Sequence, residues 1–164
     1  MALRVPDKIV IAGEIILDPK VYKSFYAESN QNGVELGTSY AKLTWDTPTY
    51  LDTGFTESGG EISVTSVLNN ARARIDFSLS CANASNNTIH LLLGIDPDGL
   101  SGYSPKRGAA NYVTDGGSVN SFYYVTLQTG MKIRVQAKIT GSTGATIASI
   151  GTQISIETKP EILE

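Results

Sequence analysis

The sequence predicts an all-β protein, an antiparallel β-sandwich, and two observations carry this prediction. The first is the alternation of apolar and polar residues over 71–81, which returns over 131–139. Because successive side chains of a strand point to opposite faces, this alternation is typical of antiparallel strands with one buried face. The second is the regular return of Gly, Pro, Asn and Asp between short apolar runs, as in the turns of sandwiches and jelly rolls.

The composition narrows the classes of protein that the chain can represent. Its 164 residues suit one compact domain with an appended segment. The formal net charge of −3 argues against nucleic acid or an anionic membrane as a partner. No apolar run approaches the about 20 residues that span a bilayer. The first residues lack the long apolar core of a signal peptide, so we expect synthesis in a cytoplasm without export by the general route.

Residues 1–36 differ from the rest of the chain and predict an extended N-terminal arm. Their apolar residues are clustered without a clean period and are interrupted by Pro and Gly. Such a stretch must lie on its own domain, on a symmetry mate or on another protein, and we expect a symmetry mate or a partner. The residues predicted to attach the arm are Ile9, Ile11, Ile15, Ile16 and Leu17.

Residues 37–164 carry the strands of the predicted sandwich. Most of these strands end at a turn signal of Gly, Pro, Asn or Asp. The segment 97–105 reads as a long loop rich in Gly and Pro, and the short strand that follows it reads as an edge strand. The predicted strands are residues 40–45, 51–55, 61–67, 71–81, 88–95, 109–113, 119–127, 131–139 and 150–158.

Residue types that carry chemistry are sparse and do not form a known catalytic pattern. Cys81 is the only cysteine, so no internal disulfide is possible, and it falls on the apolar face of its strand. His90 is the only histidine and is not accompanied by a Gly-x-Ser-x-Gly motif. The segment 96–99, Asp-Pro-Asp-Gly, lacks the later ligands of a calcium loop and reads as a turn. We therefore predict no enzyme activity, no catalytic residue, no cofactor and no metal site.

Three segments of the chain resemble the jelly roll of the tumour necrosis factor and complement globular-head superfamily. Residues 70–77 are similar to that family's Gly-x-Tyr-x-Val/Ile strand. Residues 125–135 are similar to its Leu-x-x-Gly-Asp-x-Val/Ile turn and strand, with Met131 in place of the usual Asp. Residues 149–156 resemble its closing strand, Ser-x-Phe-x-Gly-x-Leu-Ile. The resemblance covers about residues 37–159 and implies a tumour-necrosis-factor-like jelly roll that forms a homotrimer through the outward face of one sheet.

The amino-acid composition of the chain resembles that of the bacteriophage versions of this domain, which occur on head fibres, head decoration proteins and tail fibres. It is rich in Asn, Ser, Thr and Gly, and no export signal is visible. The resemblance implies a non-enzymatic structural protein of a phage virion, assembled in the host cytoplasm. We expect a trimeric capsid decoration or head-fibre module whose arm binds the major capsid protein or another virion protein.

The strand at 119–127 predicts where the subunits meet. Phe122 and Tyr124 fall on the face opposite to Val119, where two exposed aromatic side chains approach the limit of apolar surface for a monomer. We predict these two residues as subunit contacts, with cover by a loop or by the arm of the same chain as the alternative. Arg74 and Asp76 lie on the outward face of a neighbouring strand, either as ion pairs between subunits or as an ordinary solvated face.

Two further functions are open at the level of sequence. A receptor-binding module of a phage tail would bind carbohydrate on the loops 96–107 and 113–117. Tyr103 and Tyr112 would then be aromatic platforms for sugars, or else ordinary anchors of the loops. A secreted, cytokine-like ligand is the other reading, and the missing signal peptide counts against it.

Overall fold

Strands account for all the regular structure of the residues that the computed structural model describes, which are 9–11, 14–17, 24–65, 71–83, 86–141 and 144–158. In this part of the chain no helix has the length and apolar character needed to cross a membrane. The strands are β1 Ile9–Ile11, β2 Glu14–Leu17, β3 Ser24–Glu28, β4 Ala41–Lys42, β5 Tyr50–Leu51, β6 Phe55–Ser58, β7 Glu61–Val64, β8 Arg72–Ala82, β9 Asn87–Asp96, β10 Ser104–Val113, β11 Gly116–Thr126, β12 Lys132–Gly141 and β13 Thr146–Thr158.

Two antiparallel sheets form the predicted sandwich. Sheet I has the strand order β11-β8-β13-β3-β5, and sheet II has the order β10-β9-β12-β7-β6, with β4 paired to β12. The alternation that predicted β8 and β12 also orients them, because every second side chain of each strand is buried between the sheets. The core lies between the two inward faces and includes Ile75, Phe77 and Leu79 of β8 with Ile133 and Val135 of β12.

The N-terminal region contributes to two different parts of the structure. β1 and β2 pair with each other in an antiparallel hairpin that belongs to neither sheet of the sandwich. The side chains of the predicted attachment residues on this hairpin lie outside the described part of the chain, so their role stays a prediction. β3 pairs with β13 and β5, and Leu36 is buried in the core. Residues 24–36, which were predicted as part of the arm, therefore belong to the sandwich.

Strand bounds depart from the prediction at several places, and the strand predicted at 51–55 is instead divided between β5 and β6, which are separated by a turn. The strand predicted at 40–45 is reduced to the two residues of β4, although Leu43 and Trp45 are buried. The edge strand predicted at 109–113 is longer and begins at Ser104. The last strand begins at Thr146, four residues earlier than predicted. The sequence lacks a clear alternation at each of these places, so only the packed structure defines the strand ends.

A bulge interrupts β13 where it crosses β8. Ala148 pairs with Ser80 and Gln153 pairs with Ser78, so the four residues between Ala148 and Gln153 stand outside the backbone ladder with β8. The Thr152 hydroxyl holds this bulge, because it accepts the Ser80 N–H at 2.9 Å and donates to the Ala148 carbonyl at 2.6 Å. Thr152 is fully buried, so the bulge is built into the sheet as a fixed feature.

Candidate subunit interface

The edge strand β11 presents two aromatic side chains on the outward face of sheet I. Its register with β8 places Phe122 opposite Asp76 and Tyr124 opposite Arg74. Tyr123, which lies between them, packs against the core, and Val119 earlier in the strand is buried, as the sequence predicts. Phe122 is 46% exposed and Tyr124 is 53% exposed. No segment among the described residues covers either ring, so the alternative of intrachain cover finds no support there.

The two rings form an ordered cluster with charged neighbours on β8. Phe122 and Tyr124 meet edge to face, with ring centroids 5.7 Å apart and planes at 72°. The Arg74 guanidinium lies 4.7 Å from the Phe122 centroid. Its Nη2 donates to Asp76 Oδ1 at 2.6 Å, and this hydrogen bond raises the pKa of Arg74. Arg74 and Asp76 thus pair within one strand, and their predicted part in a subunit contact stays a prediction.

A groove runs beside this aromatic pair, where the edges of the two sheets come together. It has a volume of about 390 Å³ and is lined by Lys106, Arg107, Phe122, Tyr123 and Tyr124. Side-chain bonds between β10 and β11 hold the two edges side by side. Arg107 Nε donates to Ser121 Oγ at 3.1 Å, and Asn111 Nδ2 donates to the Ser118 carbonyl at 2.9 Å. These bonds bring two cationic side chains next to two exposed aromatic rings.

The other half of the outward face of sheet I carries tyrosines and carboxylates. Tyr26 of β3 lies opposite Tyr50 of β5, and Tyr50 is 64% exposed. The Tyr26 hydroxyl donates to Glu28 Oε1 at 3.0 Å, and burial together with this carboxylate raises the pKa of Tyr26. Glu157 of β13 is exposed on the same face. The sequence alone does not point to these residues, because β3 and β5 are too short to show an alternation.

The predicted ligand residue Tyr103 is engaged in the structure as a loop anchor. Its hydroxyl donates to the Glu61 carboxylate, and its ring lies under the Arg134 guanidinium, 3.7 Å from the centroid. Lys132 Nζ lies 3.0 Å from Glu61 Oε1. The pKa of Glu61 is lowered mainly by the hydrogen bond from Tyr103 and also by Lys132. The pKa of Tyr103 is raised mainly by burial and also by the Glu61 carboxylate. One face of the Tyr103 ring and its hydroxyl are therefore occupied by contacts within the chain.

The second predicted ligand residue, Tyr112, lies at the opposite end of β9 from Tyr103. Tyr112 pairs with Thr88, and its hydroxyl donates to Asn86 Oδ1 at 3.1 Å. Tyr103 packs instead beside Gly94. A Cβ atom added to Gly94 would lie 3.6 Å from the Cβ atom of Tyr103. Six residues of extended strand between these positions span about 20 Å. The two tyrosines therefore do not form one platform.

The remaining candidates for chemistry have local structural partners. Burial raises the pKa of the Cys81 thiol to about 12. His90 Nε2 lies 2.9 Å from Thr140 Oγ1, and partial burial with the nearby Lys138 lowers its pKa. Asp96 and Asp98 accept N–H groups of their own turn, as the Asp-Pro-Asp-Gly segment predicts. Among the described residues no group of three or more His, Cys, Asp or Glu could hold a metal ion.

Comparison with known proteins identifies the fold but not the activity. No protein-family model matches the chain, and no curated protein matches it. The crystal structure of murine APRIL at pH 8.0 matches with a TM-score of 0.65 and 11% identity, over 84% of this chain and 99% of that one. Eiger TNF from S. frugiperda matches with a TM-score of 0.64 and 13% identity, over 87% of this chain and 96% of that one. These similarities confirm the predicted tumour-necrosis-factor-like jelly roll.

Proposed function

We propose that this chain is a non-enzymatic jelly-roll module that acts as a homotrimer, built through the outward face of sheet I. The exposed, ordered pair of Phe122 and Tyr124 on an edge strand is the observation that carries the proposal. Aromatic side chains with a polar tip are enriched at protein interfaces. The rings are held by each other and by Arg74, so little side-chain freedom is lost when they are covered.

The outward face of sheet I carries exposed apolar side chains from one edge of the sheet to the other. Its apolar groups include Phe122 and Tyr124 at one edge and Tyr50 at the other, and Ile150 projects from the β13 bulge. A specific interface buries about 1,000 Å² or more in total. Each Å² of apolar surface removed from water contributes about 25 cal/mol, before the cost of association. Removal of these exposed side chains from water is therefore the favourable contribution to the proposed contact.

The finer proposal is that the trimer decorates a phage virion, as capsid decoration or head fibre. The hairpin of β1 and β2, which pairs with neither sheet, supports a separate attachment segment at the N-terminus. We propose that this segment binds the major capsid protein or another virion protein. Three such segments on one trimer would add avidity without new contacts. The protein would then be located on the virion, after assembly in the host cytoplasm.

The trimer is tested by the solution mass of the chain from light scattering. We expect the wild type at about three times its 17.5 kDa. The variant Phe122→Asp with Tyr124→Asp places two charges on the contact and should run as a folded monomer. Leu100→Asp is the matched control, because Leu100 is 91% exposed on a loop away from this face and should leave the trimer intact. A wild-type chain that remains monomeric up to about 100 μM would contradict the proposal.

The alternative of a carbohydrate-binding tail module has weaker support. It needs free aromatic platforms, and Tyr103 is tied to Glu61 and Arg134. A glycan array with the wild-type trimer separates the two functions. A decoration module should show no saccharide preference, whereas a tail receptor-binding module should select one class of glycan.

A further inference from the structure

We infer that the outward face of sheet II binds an extended acidic segment of a partner protein, laid along β12 with its carboxylates at alternate residues. The cations that would bind it are Arg134, Lys42 and Lys138, which we call the cationic row. The row lies on the sheet opposite to the proposed subunit contact. The inference therefore goes beyond the proposed trimer, and it applies to a single chain as well.

The cationic row follows from the alternation of β12. The outward residues of this strand are Lys132, Arg134, Gln136 and Lys138, and the residues between them are buried. Lys42 of β4 pairs with Gln136, so it supplies a cation at the step where β12 has an amide. Alternate residues of a strand lie about 7 Å apart, so the row has a cation at each of three successive steps. The same repeat separates alternate side chains of an extended partner.

The carboxylates that lie opposite β12 are engaged away from the row. Glu61 is the register partner of Arg134, but its carboxylate accepts the Tyr103 hydroxyl and lies 3.0 Å from Lys132 Nζ. Asp96 lies opposite Lys132 and accepts N–H groups of its own turn. Within the part of the chain that the structure describes, no ion pair reaches the cationic row. The row therefore keeps its positive charge for an external anion.

Aromatic rings hold two cations of the row in place. The Arg134 guanidinium lies 3.7 Å from the Tyr103 centroid, and Lys138 Nζ lies 4.8 Å from the Tyr40 centroid. The stem of Arg134 packs beside Gly94, its register partner on β9. Arg134 Nε is buried without a hydrogen-bond partner among the described residues, so stacking holds this guanidinium and not an anion. Little side-chain freedom is therefore lost when a carboxylate binds.

The composition of the face favours a polypeptide over a nucleic acid or a polysaccharide. Tyr40 and Tyr103 each have a cation against the ring, so a base or a sugar would compete with that cation for stacking. A carboxylate instead binds the cations where they stand. The Gln136 amide between them can donate to and accept from the backbone of the partner. Charge complementarity thus points to a chain with Asp or Glu at every second residue.

The test is an NMR titration of the isotope-labelled full chain with two capped peptides of equal composition, Ser-Asp-Ser-Asp-Ser-Asp-Ser and Ser-Ser-Asp-Asp-Asp-Ser-Ser. We expect the alternating peptide to shift the backbone amides of β4 and of residues 134–138, with a dissociation constant of about 1–10 mM at low salt. The clustered peptide should bind at least about threefold more weakly, because its carboxylates do not match the spacing of the row.

Substitutions place the binding on the row. Lys138→Gln removes one of its cations and should weaken binding of the alternating peptide at least about threefold. Lys42→Gln with Lys138→Gln should leave no measurable binding. Arg72→Gln is the matched control, because it removes one exposed cation from β8 of sheet I and should leave the affinity unchanged. The spectrum of each variant shows whether its fold is retained.

Three results would overturn the inference. The first is an absence of amide shifts on sheet II, and the second is equal binding of the two peptides. The third is a sulfated polysaccharide or a single-stranded oligonucleotide that shifts the same amides at least about tenfold more tightly than the alternating peptide, which would assign the face to that polymer. A chain that is monomeric by mass and still binds the alternating peptide on the row would support this inference and contradict only the trimer.

Discussion

At the scale of single residues, the most consequential side chain outside the interface is Tyr103. It anchors the loop between β9 and β10 to sheet II through its hydroxyl on Glu61, while Arg134 packs on its ring. Asp98 supports the same loop, because the hydroxyl of Ser101 and the N–H groups of Leu100 and Ser101 lower its pKa and keep it ionised as an acceptor. Charge-assisted hydrogen bonds therefore order the loop internally at Asp98 and attach it to sheet II at Tyr103.

Tyr103→Phe should lower the free energy of unfolding by about 1–2 kcal/mol, because a part-buried bond to a carboxylate is lost. The pKa of Glu61 is lowered from 4.5, so its contribution is present above that pH and is lost as the pH falls below it. The pKa of Tyr103 is raised from 10.0, so its contribution is present below pH 10 and is lost above it. Urea unfolding at pH 4, 7 and 10.5 measures the free energy of unfolding of both chains, and the difference between them should be largest at pH 7.

Tyr112→Phe is the control for that measurement, since its hydroxyl bond to Asn86 is exposed and should contribute less than about 0.5 kcal/mol. If the two tyrosine variants lost equal stability at pH 7, the bond from Tyr103 to Glu61 would have no special part in holding the loop.

Cys81 gives a second residue-scale prediction. It is buried, and burial raises the pKa of its thiol to about 12, so the reactive thiolate is scarce at neutral pH. We expect a disulfide exchange reagent at pH 8 to leave the native protein unlabelled over an hour and to label one thiol per chain in 6 M guanidinium chloride. Native labelling within a minute would show that β8 opens readily at this position.

At the scale of elements, β10 and β13 each depart from a regular strand by a shift of register. β10 is an exposed edge strand that carries Pro105 and a register shift between Pro105 and Arg107. Such features prevent an edge from pairing through its backbone with another chain. Contacts at this edge are thus left to its side chains, which is what the proposed interface requires. β13 instead keeps an internal bulge, fixed by Thr152.

Thr152→Val should destabilise the fold by about 2 kcal/mol, because the partly buried Ser80 N–H and Ala148 carbonyl each lose a partner while the volume is preserved. Thr152→Ser keeps the hydroxyl and should lose clearly less than the valine variant. Thermal and urea unfolding of both variants measure this difference. Equal losses would assign the stability of the bulge to packing instead of to these hydrogen bonds.

At the scale of the whole molecule, the sandwich and the hairpin of β1 and β2 are separate in their backbone pairing. Every strand of the two sheets lies at or after residue 24, so the sheets are complete in their backbone pairing without the hairpin. Under the proposed function, the sandwich assembles the subunits and the separate N-terminal segment attaches them.

Deletion of residues 1–20 should leave the melting temperature within about 2 °C of the wild type and the mass that of a trimer. Under the virion proposal the shortened trimer no longer sediments with purified particles of the phage that encodes it, whereas the full chain does. The Leu100→Asp variant of the full chain serves as the control and should still bind. A shortened trimer that decorates particles as well as the full chain would exclude the arm as the anchor.

Much of this architecture could be predicted because strand alternation is a local signal. The facings of β8, β11 and β12 follow from every second residue, and with them the exposure of Phe122 and Tyr124. The groove could not be predicted, since it joins the edges of two sheets and brings Lys106 beside Phe122 only in the packed structure. β3 was missed as a sandwich element, and β5 and β6 were merged into one predicted strand at 51–55, because two to five residues are too few to show a period.

The position of β13 in sheet I has a consequence for how the chain is made. This last strand lies between β8 and β3, so two halves of the sheet stay apart until it is inserted. About 130 residues separate β3 from the end of β13. A ribosome adds roughly 5–20 residues per second, so β3 waits on the order of ten seconds for its neighbour. Sheet I can therefore close only after residues up to 158 have been synthesised, with the slow kinetics of distant strand pairing.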